Sequence, residues 1–434
     1  MIVDRYALEG KKQNRRHILE VKNNHREKRS VRYFNWFNKL LKMTFFGMYL
    51  KGAFNLKAEN REVFRKVKPP FLILPNHPSV YDPFMLSGYV PQPVYFVTAD
   101  GNLRSRVMKF LLSLVGAIPK SKAISDIETI KDIIYIKNKG GVIGIFPEGQ
   151  STWDGHTLPL LYSTAKLVKF LKIPVVTVVL KGAYLSLPRW AWNRRRGKLV
   201  ISYELGLTPE KIKALSVDEI HKELTRLLEY DEYEYQKTHM IEYKSNRRAE
   251  HLELALFFCP SCGHIGTTRS RRNRFFCTQC GYRVRLNPYG FFEPKRGQEL
   301  IFQTIREWSL WQEGAVERFV AEKKQEGSDS PLFEDNLVTM LKGYRSRPLK
   351  DFHTGKLSLY IDRIELLTLR NEVVSFPLSE VEGISVLKQH KLEFYFHNAL
   401  YRVNFPMKKI SGFKWYSLVR TLKGEKATDR IEPA

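Results

Sequence analysis

The side chains able to do chemistry fall in three short stretches of the sequence. The first is Asn76-His77-Pro78-Ser79-Val80-Tyr81-Asp82, which follows the apolar run FLILP at residues 71–75. An imidazole and a carboxylate held together can move a proton. The carboxylate fixes the tautomer at one ring nitrogen and raises the basicity of the other, which then accepts a proton from a hydroxyl. On a continuous helix a spacing of five would set His77 and Asp82 about 140° apart, too far round to meet. Pro78 removes the difficulty, because proline favours the first position of a helix. His77 is then expected just outside that helix, with Asp82 about one turn in and curling back. The bland alternative is a capping histidine beside an unrelated aspartate.

The second stretch is Phe146-Pro147-Glu148-Gly149, at the end of the run GVIGIF (141–146). It is again a strand-to-loop junction, where parallel sheets place their ligands. The third holds all four cysteines of the chain, Cys259, Cys262, Cys277 and Cys280, in CPSCGHIGTTRSRRNRFFCTQCGY. Two C-x-x-C pairs separated by a basic, hairpin-length insert fit tetrahedral zinc better than two disulfides. Gly263 and Gly281 follow the second cysteine of each pair, as a knuckle with positive φ and amides turned to the thiolates requires.

These residues need elements to hold them. Apolar runs at 71–75, 93–97, 141–146, 174–180 and 198–203 alternate with helical patterns near 104–115, 126–138 and 160–171. The alternation predicts an α/β fold, a mostly parallel sheet flanked by helices on both faces. Residues 208–245 read as a charged closing helix and linker. The zinc segment is expected as a ribbon over 255–295, followed by a helical linker over 296–330. Residues 340–425 carry short alternating strands and a final helical pattern, expected as a small β-rich module resembling the pleckstrin-homology fold.

Charge narrows the partners. Lys plus Arg number 72 against 45 acids, a net +27, which points to a polyanion: an anionic membrane surface, a phosphorylated substrate or nucleic acid. Residues 1–32 form a basic N-terminal arm. Residues 33–56, dense in aromatics and broken by lysines, suit an amphipathic helix lying in a membrane interface. Arg189-Trp190-Ala191-Trp192-Asn193-Arg194-Arg195-Arg196 has a headgroup-binding composition, or is a solvated loop with its tryptophans packed inward. The arginine-rich zinc segment suits anionic lipid or an acidic carrier protein, with nucleic acid the other polyanion that fits. No run of eighteen apolar residues spans a bilayer, and the N-terminus lacks a signal-peptide core. The expected location is the cytoplasmic face of a membrane, peripheral or monotopic.

Together the first two stretches resemble a known family. NHPSVYD is similar to the HX4D motif of the glycerolipid acyltransferases, the PlsC-like group that includes 1-acyl-glycerol-3-phosphate acyltransferases. FPEG resembles that family's third motif at the family's spacing, and Ile173-Pro174-Val175-Val176 its fourth. The resemblance covers about residues 60–205. It implies acyl transfer from acyl-CoA or acyl carrier protein to a lipid hydroxyl, with His77 as general base and Asp82 orienting it. It also implies that Glu148, Gly149 and the loop after them shape the acceptor site, with Asn76, Phe146 and Pro147 expected as further substrate contacts. Lys120, Lys122 and the Arg104/Arg106 pair are expected either to hold an acceptor phosphate or to be solvated surface charges. In the frame Gly116 to Lys122, lysine stands where the family has arginine and cannot offer its bidentate fork. FPEG is followed by Gln150-Ser151 rather than Thr-Arg. The chemistry needs no metal or other catalytic cofactor, so zinc would be structural. The rival expectation is a catalytically degenerate acyltransferase-like scaffold whose zinc ribbon binds nucleic acid or protein. A third is hydrolysis, with water replacing the lipid hydroxyl.

Overall fold

The computed structural model describes residues 45–120, 127–344 and 347–425, together with Leu40 and Met43. The basic arm at 1–32, the start of the aromatic stretch at 33–56, and Lys122 lie outside the described residues. Helix α1 (Phe45–Phe54) leads into a seven-stranded sheet. Its strands are β1 (Leu56–Glu59), β2 (Leu72–Pro75), β3 (Val94–Ala99), β4 (Ile118–Lys120), β5 (Val142–Gly144), β6 (Val175–Lys181) and β7 (Leu199–Leu207). The spatial order is β1-β7-β6-β2-β5-β3-β4. Neighbours run parallel except the β6–β7 pair.

The central strands are apolar on both faces because both faces are covered. Leu72 and Leu74 of β2 join one core with Ile133, Val168 and Leu224 from helices α4 (Ile127–Asn138), α5 (Tyr162–Leu171) and α6 (Val217–Leu228). Ile73, one residue out of phase, joins another core on the opposite face. Helices α2 (Asp82–Ser87) and α3 (Arg106–Leu114) follow β2 and β3, so β2, β3 and β5 deliver their loops to one edge of the sheet. The edge strands β1 and β4 were not expected. They are three or four residues long and too short to show a pattern.

Behind α7 (Glu232–His239) comes a four-stranded antiparallel sheet, β8 (Thr268–Arg271), β9 (Arg274–Cys277), β10 (Arg283–Leu286) and β11 (Phe292–Pro294). Helix α8 (Ile305–Glu326), expected as part of a helical linker, is packed into two cores. Its Ile305 and Trp308 are buried in the core shared with the main sheet and the cysteine segment, while Val316 and Val320 enter the core of the last module. Trp308 sits among Phe275, Tyr282, Phe292 and Phe302, and its indole N–H donates to the Phe258 carbonyl at 3.0 Å. Truncating a tryptophan so placed costs about 3–5 kcal/mol.

The chain closes with seven antiparallel strands, β12 (Phe333–Gly343), β13 (Lys350–Leu359), β14 (Arg363–Thr368), β15 (Val373–Pro377), β16 (Val381–Leu387), β17 (Lys391–Phe396) and β18 (Ala399–Asn404), and helix α9 (Gly412–Leu422). Their order is β15-β14-β13-β12-β18-β17-β16. The Arg189–Arg196 segment packs Trp190 inward, as the second expectation holds, but it is not simply solvated: two of its arginines are buried and Arg196 is exposed. Arg189, Trp190 and Arg195 are buried. Arg195 survives burial by donating to the carbonyls of Leu185, at 3.0 Å, and Arg248.

Candidate active site and metal centre

The loop after β2 brings His77 to Asp82 by a different route from the one expected. The helix does not start at Pro78. It starts at Asp82 itself, with Tyr81 at the N-cap and Pro83 inside its first turn. The intervening residues turn tightly: the Asp82 amide donates to the Ser79 carbonyl at 3.3 Å, and the Ser79 amide donates to Asp82 Oδ2 at 2.8 Å. The same Oδ2 lies 2.8 Å from His77 Nδ1, which leaves Nε2 as the nitrogen open to a substrate. The His77 side chain is 19% exposed and that of Asp82 0%. Burial pushes the Asp82 carboxyl above the ordinary carboxylate value, opposed by the His77 hydrogen bond and charge and by the Ser79 amide. Its Oδ1 has no hydrogen-bond partner, so the His77 and Ser79 bonds are what favour the ionised form.

The loop after β5 grips His77 by its backbone. Glu148 Oε1 accepts the His77 amide at 2.6 Å and Oε2 the Leu158 amide at 2.8 Å. The Thr152 amide donates to the His77 carbonyl at 3.0 Å. Gly149, at φ +68°, makes the turn that the loop requires. Phe146 lies against the imidazole, ring centroids 4.1 Å apart, and Phe96 backs Phe146 at 5.7 Å. A Cβ on Gly144 would fall 2.3 Å from the Phe96 ring, so only glycine lets this chain of rings form.

Several residues expected to touch substrate are turned inward. Glu148, buried, spends its carboxylate on backbone amides. Asn76 is also buried and pins the end of β2 to β6, its Oδ1 accepting the Leu180 amide at 2.8 Å. Both hold the His77 loop through backbone groups. Arg104 is buried too, paired with Glu393 of β17 and, at 3.4 Å, with Asp100. Lys120 is half-buried at the end of β4. Pro147 is buried, its carbonyl accepting the Leu161 amide at 2.8 Å.

Arg189 is the residue that the sequence did not reveal as part of this site. Its Nη1 donates to the Ser151 carbonyl at 2.8 Å and to Gln150 Oε1 at 3.1 Å. Its Nη2 and Nε donate to the carbonyls of Val386, at 2.6 Å, and Lys388, at 3.2 Å. The guanidinium also covers Trp153, 4.4 Å from its ring centroid. One buried arginine therefore ties the loop beyond Glu148 to the β16–β17 turn.

The four cysteines converge. Their sulfurs all lie within 4.8 Å of one another, with Cys259–Cys280 at 3.6 Å and Cys262–Cys277 at 3.8 Å. Four thiolates at about 2.3 Å from a tetrahedral zinc stand about 3.8 Å apart, far beyond a disulfide's length of about 2.05 Å. Gly263 and Gly281 have φ of +70° and +76°, and the Gln279 amide points at Cys277 Sγ at 3.3 Å. The donor set fits zinc in a structural, fully ligated site with no open position.

Residues 55–181 match the Acyltransferase family model. No curated protein matches the chain. Among solved structures, the 1-acyl-sn-glycerophosphate (LPA) acyltransferase PlsC from Thermotoga maritima is 18% identical, over 46% of this chain and 79% of that one, with a TM-score of 0.40. A chain of the 8S snRNP assembly intermediate is 14% identical, over 25% of this chain and 90% of that one, with a TM-score of 0.19. His77, Asp82 and the Glu148 loop all lie within the segment that matches the acyltransferase family.

Proposed function

We propose that this protein is a peripheral O-acyltransferase of phospholipid biosynthesis or remodelling, working at the cytoplasmic face of a membrane. It moves a fatty acyl group from acyl-CoA or acyl carrier protein to a hydroxyl of a lysophospholipid-type acceptor, such as a 1-acyl-glycerol-3-phosphate. The observation that carries this is the 2.8 Å bond from His77 Nδ1 to buried Asp82, within the segment matching the acyltransferase family. His77 Nε2 takes the acceptor's hydroxyl proton as its oxygen attacks the thioester carbonyl. The tetrahedral intermediate collapses, the carbon–sulfur bond breaks, and the imidazolium returns its proton to the leaving thiolate. Asp82 holds the ring and stabilises the imidazolium. Zinc, held by Cys259, Cys262, Cys277 and Cys280, takes no part in this step and braces the fold.

A membrane partner is supported by two surfaces. None of the residues of α3 is buried, and Val107, Phe110 and Leu111 stand in the open beside Arg106 and Lys109. This is the composition of a helix lying in an interface. On the cysteine-bearing sheet, Arg271, Arg274 and Arg285 are exposed side by side across β8, β9 and β10. Like charges so opposed weaken a sheet; Glu293 on β11 lies 3.9 Å from Arg285, and an anionic surface would meet the others. Among the described residues, no helix is long and apolar enough to cross a membrane.

The test is release of free thiol from acyl-CoA, and separately from acyl carrier protein, by the full chain in anionic vesicles with a panel of lysophospholipids. Acceptor-dependent release is expected, and His77→Ala should lower it at least about a hundredfold. Turnover unchanged in that variant would remove His77 from the mechanism. Release without acceptor would indicate hydrolysis. No turnover with any donor would favour the scaffold alternative.

A further inference from the structure

Three segments distant in sequence converge beyond Arg189. Trp192 is half-buried, with the His251 ring 4.4 Å from its own and the His390 ring 5.5 Å away. Lys408 Nζ lies 5.7 Å from the indole centroid. Lys388 and Lys391 flank His390 on the β16–β17 turn, and Lys409 follows Lys408 before α9. Burial, together with Lys391, Lys408, His251 and Lys388, holds His390 below the usual imidazole value. Burial does the same to His251, opposed by Glu250, the strongest of the charges acting on it, and reinforced by Lys409, Lys408 and Arg247; Glu250 is itself paired with Arg247 at 2.9 Å. Of the other nearby acids, Glu393 acts on Lys391 but is paired with Arg104 and Arg402, and Glu253 is buried, its carboxyl pushed up toward the neutral form, chiefly by burial. Among the described residues, none of the four lysines has an ion-pair partner. The Nδ1 atoms of both histidines are buried without a hydrogen-bond partner.

Six bases meet at this junction and repel one another, offset in part by Glu250 acting on His251 and Glu393 acting on Lys391. We propose that this junction is an anion site for a phosphate-bearing ligand, a phosphomonoester or diphosphate held by Lys388, Lys391, Lys408 and Lys409 beside His251 and His390. A multiply charged group with several acceptor oxygens can satisfy four ammonium groups and two imidazoles at once, which a lone carboxylate cannot. The site touches the candidate active site through one residue: the Lys388 carbonyl accepts from Arg189, which also holds Ser151. The binding chemistry stands by itself. The source of the phosphate, the donor's nucleotide or the acceptor's headgroup, rests on the acyltransferase reading.

Calorimetry on full-length His77→Ala protein tests binding apart from turnover, with pyrophosphate, adenosine 3′,5′-bisphosphate and glycerol 3-phosphate as probes. At least one probe should bind, with net proton uptake when buffers of different ionisation enthalpy are compared, because a bound anion favours imidazolium. Lys408 and Lys409 are exposed, so Lys408→Glu with Lys409→Glu keeps the fold while weakening binding by at least about tenfold. His390→Gln should reduce the proton uptake more than the affinity. Preference for the bisphosphate assigns the site to the donor, and preference for glycerol 3-phosphate to the acceptor. Pyrophosphate alone assigns it to a free phosphate. No binding at millimolar concentration, or equal affinity in the double variant, overturns the proposal. Wild-type thioester turnover, measured separately, tells failure here from failure of the acyltransferase reading.

Discussion

His77 is held at four points: its amide by Glu148, its carbonyl by Thr152, its Nδ1 by Asp82 and its ring by Phe146. Glu148 is thus a positioning residue, and the two possible roles separate kinetically. Glu148→Gln turns an amide N–H toward one of two backbone N–H groups, a loss of about 1–3 kcal/mol. The expected result is a fall in kcat of about tenfold to a hundredfold with KM little changed. A raised acceptor KM at constant kcat would place Glu148 on the substrate instead. A second buried carboxylate makes a pH prediction. Burial pushes Glu232 up to about 8, far above its unfolded value of about 4.3. The folded state therefore holds a proton that the unfolded chain releases. That contribution to stability is complete below about pH 4.3 and is lost as pH rises toward 8. Glu232→Gln should gain on the wild type in thermal denaturation from pH 5 to pH 8. The pairing of His77 with Asp82 was legible in the sequence because its residue types declare their chemistry. The inward roles of Asn76 and Glu148 were not, since a backbone amide as partner leaves no mark on composition.

At the scale of elements, α3 offers the clearest test. Phe110→Glu with Leu111→Glu removes apolar area from a helix with nothing packed on that face. Vesicle sedimentation should show binding weakened by at least about tenfold, with circular dichroism unchanged. Retained binding would move the membrane contact elsewhere. The strands β2, β5 and β6 were legible because doubly covered strands are apolar nearly throughout, and β3 and β7 by the apolar runs that open them. Strands β1 and β4 sit at the two edges of the sheet and carry too few residues for a pattern. Helix α8 read as a linker because its charges are evident and its buried face is narrow. Its role emerges only when Trp308 and Val320 are seen in two different cores. The start of α2 was misplaced because Pro78 and Pro83 are equally good helix openers by type, and the Ser79–Asp82 turn chooses between them.

Across the whole molecule, the modules are not beads on a string. Cys259 and Cys277 share one core with Ile73, Trp190 and Trp308, so the cysteine centre braces the sheet that carries His77. Removing zinc with a strong chelator should lower the melting temperature of the entire chain by at least about 10 °C in one transition. Two transitions, the upper one unmoved, would show the cysteine segment to be energetically separate. The last module is tied on by Arg104, paired with Glu393, whose Oε1 also accepts from Arg402 Nε at 2.7 Å. Arg189 makes a second tie.

That second tie sets an order in time. A ribosome delivers the chain from its N-terminus, so the loops bearing His77 and Glu148 emerge early. The carbonyls that complete the Arg189 clamp belong to residues 197 and 199 positions later. A nascent or prematurely ended chain thus carries every residue of the proton-transfer pair but not the brace that keeps the Gln150–Ser151 loop in place. The clamp can close only once β16 and the turn after it have been made.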